Sequence, residues 1–296
     1  MSETHVHMQA SFFSLATTSG LVVMETVYLR GWLSLRKAFP DLIGGWRLAA
    51  FTTGLISIWA ALASPLATLD HQSLTIHMMK HLLLMTVAAP LVLAGAPAFT
   101  VTCGLPKLLI QSNPPLVSLS TRWLGRSLMH PVSCWLAGTA VVIGWHLPTA
   151  FQLGMRSHWA HNVEDICFLL AGLLFWSPIV QLSPGATSSP QWFMALYLFL
   201  ATLPCDVLSA FLVFCNRLVY PCYLSSTHLF GFSPLQDQEC AGALMWVWVT
   251  FAYLIPAVVI TVHILSFSNS YSFTPAQAAR ARLAARSRSA GGTEVV

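Results

Sequence analysis

Seven stretches of mostly apolar residues dominate the chain, at 11–29, 46–66, 77–101, 131–149, 160–181, 191–214 and 241–265. A helix needs roughly 20 such residues to cross the hydrocarbon core of a bilayer. Long continuous blocks exclude a membrane barrel, whose strands read as short alternating segments. Charge points the same way. Only 8% of the 296 residues are Asp, Glu, Lys or Arg, where a soluble domain carries about 25%. That supply cannot coat a soluble enzyme of this size, and so apolar a chain is not disordered. The expected fold is an all-α integral membrane protein, a bundle of seven transmembrane helices.

The organisation expected is a short outer segment at 1–10, a membrane domain at 11–265 and a basic cytoplasmic tail at 266–296. The first block is read as a retained helix, because Glu3, His5 and His7 stand where a signal peptide has basic residues. Pro90, Gly95 and Pro97 predict a kink or an early end in the third block. No internal repeat supports an inverted-repeat transporter.

Lys and Arg fix the orientation. With the N-terminus outside, the inner side receives Arg30, Arg36, Lys37, Arg47, Lys107, Arg122, Arg126, Arg280, Arg282, Arg286 and Arg288, and the outer side only Lys80, Arg156 and Arg217. The chain is therefore expected N-out and C-in. The net charge of +4 is scattered over loops and the tail. It suits contact with anionic lipid and does not indicate nucleic acid. The seven cysteines form no CxxC pair. Cys215, Cys222 and Cys240 fall in an outer loop, in the oxidising compartment, where two of them are free to pair without the sequence choosing which.

The histidines sort outward. His5, His7, His71, His77, His81, His146, His158, His161 and His228 fall at the outer side, and only His130 and His263 at the inner side. Asp70, Glu164, Asp165, Asp206, Asp237 and Glu239 follow them. The positive-inside rule explains the basic residues and not these. His77 and His81 are four apart at a helix start and share a face. His161 and Asp165 repeat that spacing, and His158 lies three before His161. His146 closes the fourth helix ahead of Pro148. Imidazole suits copper, zinc and iron, and a thioether from Met78 or Met79 would bias a site toward Cu(I).

Each of these residues also has a plainer role. A lone outer His is ordinarily bonded to water or backbone, which is the reading for His5, His7, His71 and His228. Met78 and Met79 fit gap filling as readily as ligation. Asp206 differs, because an ionisable group in mid-helix at membrane depth faces a cavity or a partner.

Four segments carry a family resemblance. HMMKHLLLMTVAAPLVLAGAP, HPVSCWLAGTAVVIGWHLPTAF, WAHNVEDICFLLAGLLFWSPIV and DQECAGALMW, in that order, resemble the multi-span CtaG family, the assembly factors of caa(3)-type cytochrome c oxidase. The resemblance runs from about residue 28 to 262. It carries over at His77, His81, His146, His161, Asp237, Gln238, Gly242, Met245 and Trp246. It departs at Asp165, where the family commonly has a second His.

The resemblance implies a multi-pass protein of the bacterial inner membrane that helps mature a haem–copper oxidase, handling copper on the periplasmic side. The partners implied are the oxidase catalytic subunit, the lipid bilayer and a periplasmic copper donor. The expected metal set is His77, His81, His146, His161, Asp165 and His158. Asp206, Asp237, Gln238 and Met78 are the expected supporting residues. The cofactor is copper, as Cu(I), and no enzymatic step is expected. The competing readings are a b-type haem redox protein, a copper or proton transporter and a metal-free scaffold.

Overall fold

The third apolar block becomes the axis of the bundle. In the computed structural model, which describes residues 2–38, 44–105, 130–180, 191–225 and 231–271, the elements run as follows. They are α1 (Ser2–Ala38), α2 (Gly45–Leu62), α3 (Leu74–Leu82), a π-helical segment (Leu83–Ala88), α4 (Ala89–Ala94), α5 (Pro97–Gly104), α6 (Pro131–His146), α7 (Pro148–Arg156), α8 (His158–Val180), α9 (Gln191–Phe214) and α10 (Pro234–Tyr271). Short 3₁₀ turns occupy Pro65–Thr68 and Pro221–Ser225. No strand occurs among the described residues.

The segment from α3 through α4 forms one span, Leu74–Ala94, and 61% of its apolar 18-residue stretch is buried, against 17% for that of Pro234–Ser266. It contacts α2 and α8 along its length, and α10 packs on α3. A helix buried over most of its length tolerates polar groups there only where partners meet them. That is why the polar residues of α3 identify the site.

The π-helical segment directly follows His81. A π-turn disturbs the regular backbone ladder, and here Trp176 Nε1 donates to the Met85 carbonyl at 3.0 Å. Gly172 of α8 makes that approach feasible. A Cβ there would lie 2.8 Å from the Met85 carbonyl oxygen and 2.9 Å from its Cα. Two leucine-and-aromatic cores flank this axis. One joins α3, α8, α9 and α10 around Phe175, Tyr197 and Tyr253. The other joins α1 and α2 to the π segment around Tyr28, Phe51 and Leu84.

The expected break in the third block is present. The span stops at Ala94, Ala96 adopts a left-handed conformation (φ 50°), and Pro97 starts α5. Proline fits a first helical turn, where its missing N–H is not needed. The Tyr28 hydroxyl donates to the Gly95 carbonyl at 2.8 Å and holds the turn against α1. Leu147 is extended ahead of Pro148, as the ring of a following proline requires. The chain therefore bends by 73° between α6 and α7.

Among the described residues, five helices are long and apolar enough to cross a membrane: Gly45–Thr68, Leu74–Ala94, His158–Val180, Trp192–Phe214 and Pro234–Ser266. The bent α6–α7 pair makes up to six. The expected block at 11–29 lies inside α1 and is not among them. Its Thr17–Thr18–Ser19 run and Glu25 lower its apolarity. Glu25 accepts a hydrogen bond from the Thr52 hydroxyl of α2 at 2.7 Å.

The basic residues at 107, 122, 126, 280, 282, 286 and 288, like His228 and most of the tail, lie outside the described residues. So do the side chains of His5 and His7. No disulfide joins Cys215, Cys222 and Cys240, so the pairing left open by the sequence is not made.

Candidate metal centre

The His-bearing helix ends meet at one end of the bundle. Ser14 of α1 donates to the Ala63 carbonyl at the end of α2 at 3.0 Å. Tyr220 and Tyr223, between α9 and α10, donate to the carbonyls of His146 and Asp70, each at 2.9 Å. Asp237 in the first turn of α10 caps α3. Its carboxylate accepts from the Leu74 and Thr75 amides at 2.6 and 3.3 Å, and from the Ser73 and Thr75 hydroxyls at 2.9 and 2.7 Å. The orphan amides of a helix start are natural partners for a carboxylate, and this cap sets the height of His77.

From there the helical period places His77, Lys80 and His81 on one face of α3, opposite His161, Glu164 and Asp165 of α8. His77, His81 and Glu164 each offer a ligand atom, and these atoms lie within 4.8 Å of one another. His77 Nε2 is 3.5 Å and His81 Nε2 3.9 Å from Glu164 Oε1. The two rings are 4.5 Å apart. The His81 ring stacks on Phe168 at 4.0 Å, and the His77 ring leans on Phe151 at 4.9 Å. All three side chains are buried. Both ring nitrogens of His77 and Nε2 of His81 are buried without a hydrogen-bond partner. An unmet buried polar atom costs about 1–3 kcal/mol, and a cation between the rings would meet one nitrogen of His77 and Nε2 of His81, one ligand atom from each.

A second group stands beside the first. Asp70, His71 and His161 also bring ligand atoms within 4.8 Å. His161 Nε2 is 2.8 Å from Asp70 Oδ2 and 2.7 Å from Lys80 Nζ. One nitrogen can donate to the first or accept from the second, not both. His161 Nδ1 faces Glu164 Oε2 at 3.4 Å, which links the two groups. Lys80 also reaches Asp165, with Nζ 3.0 Å from Oδ1. Burial opposes a charge on Asp70. The His161 hydrogen bond and the Lys80 ammonium outweigh that, and the carboxyl is held well below the usual carboxylate range. Burial pushes the neighbouring His71 imidazole down, against the pull of Asp70.

Three carboxylates, those of Asp70, Glu164 and Asp165, gather here around the one ammonium of Lys80. Buried charge needs compensation, and carboxylates in excess of the ammonium suit a cation. A cleft of about 620 Å³ leads to this region, with Asp70, His71, Lys80, His158, His161 and Asp165 among its walls.

The expected ligands therefore divide. His77 and His81 share the first group and His161 joins the second, while Asp165 is engaged by Lys80 and lies 3.4 Å from His81 Nε2. His158 is exposed at the cleft, its ring 6.0 Å from that of His71. His146 stands apart, its Nε2 3.2 Å from Met78 Sδ. Asp237 is the α3 cap. Gln238 ties the loop before α10, bonding the Val219 amide and the Leu212 and Arg217 carbonyls. Asp206 joins neither group, and its Oδ1 is buried without a partner.

Four residues of the two groups were given no site role by the sequence reading: Glu164, Asp70, His71 and Lys80. The i, i+3 spacing of His161 and Glu164 carried the signal for the first, and the Lys inside HMMKH for the last.

The cytochrome c oxidase caa3 assembly factor family (Caa3_CtaG) matches residues 26–266. The uncharacterized protein ML1998 of Mycobacterium leprae is 25% identical over 258 residues, covering 83% of this chain and 37% of its own length. The uncharacterized proteins Mb0105 of Mycobacterium bovis and MT0111 of Mycobacterium tuberculosis are each 28% identical over 186 residues, 60% of this chain and 27% of their own. The chain thus spans less than two fifths of the length of these relatives. No solved structure matches the chain. With the family match covering nearly all the described helices, the chain belongs to the cytochrome c oxidase caa3 assembly factor family.

Proposed function

We propose that this protein binds copper at His77, His81 and Glu164 and passes it to the catalytic subunit of a haem–copper oxidase during assembly. The metal is cargo, and no covalent step is assigned to the chain. The observation that carries the reading is the set of buried, unpartnered nitrogens of His77 and His81 facing one carboxylate. Two imidazoles and a carboxylate suit a divalent first-row ion. The expectation of Cu(I) rested on a thioether from Met78 or Met79, and the Met78 sulfur lies against His146 and outside this cluster. In this reading α1 is the seventh span, the N-terminus is outside, and the cluster opens to the periplasmic side of the inner membrane. A periplasmic donor loads it through the cleft at Asp70, His71 and His158.

The test is oxidase maturation in cells lacking the gene. The oxidase should lose its copper while keeping its haem. Wild-type protein should restore the copper, and His77→Ala with Glu164→Gln should not. Full copper in the oxidase made with that variant would overturn the reading.

A further inference from the structure

His146 and Met78 face each other in a way that neither side chain explains alone. His146 Nδ1 lies 2.7 Å from the Val142 carbonyl. A carbonyl only accepts, so Nδ1 carries the proton. In the neutral ring Nε2 is then a bare lone pair. It points at Met78 Sδ at 3.2 Å, and a thioether has no proton to give. Two acceptors in contact need something electropositive between them. An imidazolium would supply a proton, but it would be a buried charge, and no carboxylate hydrogen-bonds His146 among the described residues.

The surroundings favour a metal. A small cavity of about 20 Å³ adjoins this pair, lined in part by Met78, Met85, Met245, Cys205, His146 and His81. That volume fits about one atom-sized occupant. Its polar wall is the His146 and His81 rings with the Tyr253 and Thr86 hydroxyls, and Thr86 already donates to the Leu82 carbonyl and accepts from Trp248. The rest of the wall is rich in sulfur, from Met78, Met85, Met245 and Cys205. Thioether, thiol and imidazole are the donors that select a soft monovalent ion. With bond lengths of about 2.0 Å to nitrogen and 2.3 Å to sulfur, one ion reaches both His146 and Met78.

We propose that this cavity is a second metal site, specific for a soft monovalent cation, Cu(I) in the cell, with His146 Nε2 and Met78 Sδ as ligands and the Met245 or Met85 thioether or Cys205 thiol completing the shell. It is distinct from the cluster of His77, His81 and Glu164 and is separated from it by the His81 ring. Copper as the natural cargo rests on the function proposed above, and the existence of a soft site does not.

The experiment uses the full chain in mild detergent, with accessible thiols alkylated first. Ag(I), a redox-inert stand-in for Cu(I), and Zn(II) are titrated separately and counted per chain. One Ag(I) and one Zn(II) per wild-type chain are expected. Met78→Leu with Met245→Leu, which nearly preserves volume, should weaken Ag(I) at least tenfold and leave Zn(II) unchanged. His77→Ala with Glu164→Gln should do the reverse. Ag(I) affinity unchanged in the methionine variant would overturn the soft site, as would its loss only in the His77 variant. X-ray absorption of the Cu(I)-loaded wild type gives a decision independent of any variant. A sulfur shell supports the site, and a shell of nitrogen and oxygen alone overturns it. Absent Zn(II) and Cu(II) binding would remove the cluster reading while leaving this result to stand.

Discussion

Lys80 Nζ lies 2.6 Å from Asp70 Oδ2, in a contact buried to within 5% on one side and 1% on the other. The same ammonium reaches Asp165 of α8. One lysine thus clamps the loop before α3, α3 itself and α8 around the candidate cluster. It also offsets part of the negative charge of the carboxylates around it.

Lys80→Met should therefore destabilise the fold by about 3–5 kcal/mol, the cost of leaving buried charges unpartnered. Adding Asp165→Asn should recover part of that loss, because the two residues share one interaction. Thermal unfolding of the two single variants and the double variant in detergent checks this. Strict additivity would show that the clamp is not made.

Asp237→Ala should cost about 1–2 kcal/mol through loss of a helix cap. Its metal stoichiometry should equal that of the wild type, because the carboxylate is spent on Ser73, Leu74 and Thr75. A stable variant that has lost its metal would instead make Asp237 a ligand.

Gly172→Ala should lower stability by about 1–3 kcal/mol, as overpacking does, because its Cβ would strike Met85 backbone. Gly144→Ala meets nothing within 4 Å and should gain up to about 1 kcal/mol from helix propensity. Comparing the two melting temperatures separates packing from propensity.

Asp70 predicts an acid sensitivity. Its folded pKa is depressed, so its stabilising effect is present above its unfolded pKa, about 3.9, and is lost as pH falls toward the folded value. Asp70→Asn should be less stable than wild type at neutral pH, and the gap should narrow below about pH 4. Melting temperatures of both proteins from pH 3 to 7 test the sign. A gap that widens in acid would contradict it.

Much of this fold was legible because bilayer physics leaves few choices. The block at 191–214 coincides with α9, and the breaks at Pro97 and Pro148 fall where proline demands them. The first block was harder. Its Glu25 is met by the Thr52 hydroxyl of α2, a contact that sequence cannot show. In the site, the i, i+4 pair His77 and His81 was readable from helical geometry alone. Glu164 was passed over for Asp165, although α8 turns the first toward the imidazoles and the second toward Lys80. Asp237 looked functional because it is charged and outward, but its carboxylate lies over the start of α3, a contact between residues 163 positions apart.

The central claim is a metal bound by His77, His81 and Glu164, and its most direct test is metal content. Purified protein loaded with Cu(II) or Zn(II) and freed of excess should hold one divalent ion per chain. His77→Ala with His81→Ala should hold none while keeping its helical circular dichroism. A wild-type protein that retains no metal, or a double variant that retains all of it, would contradict the account.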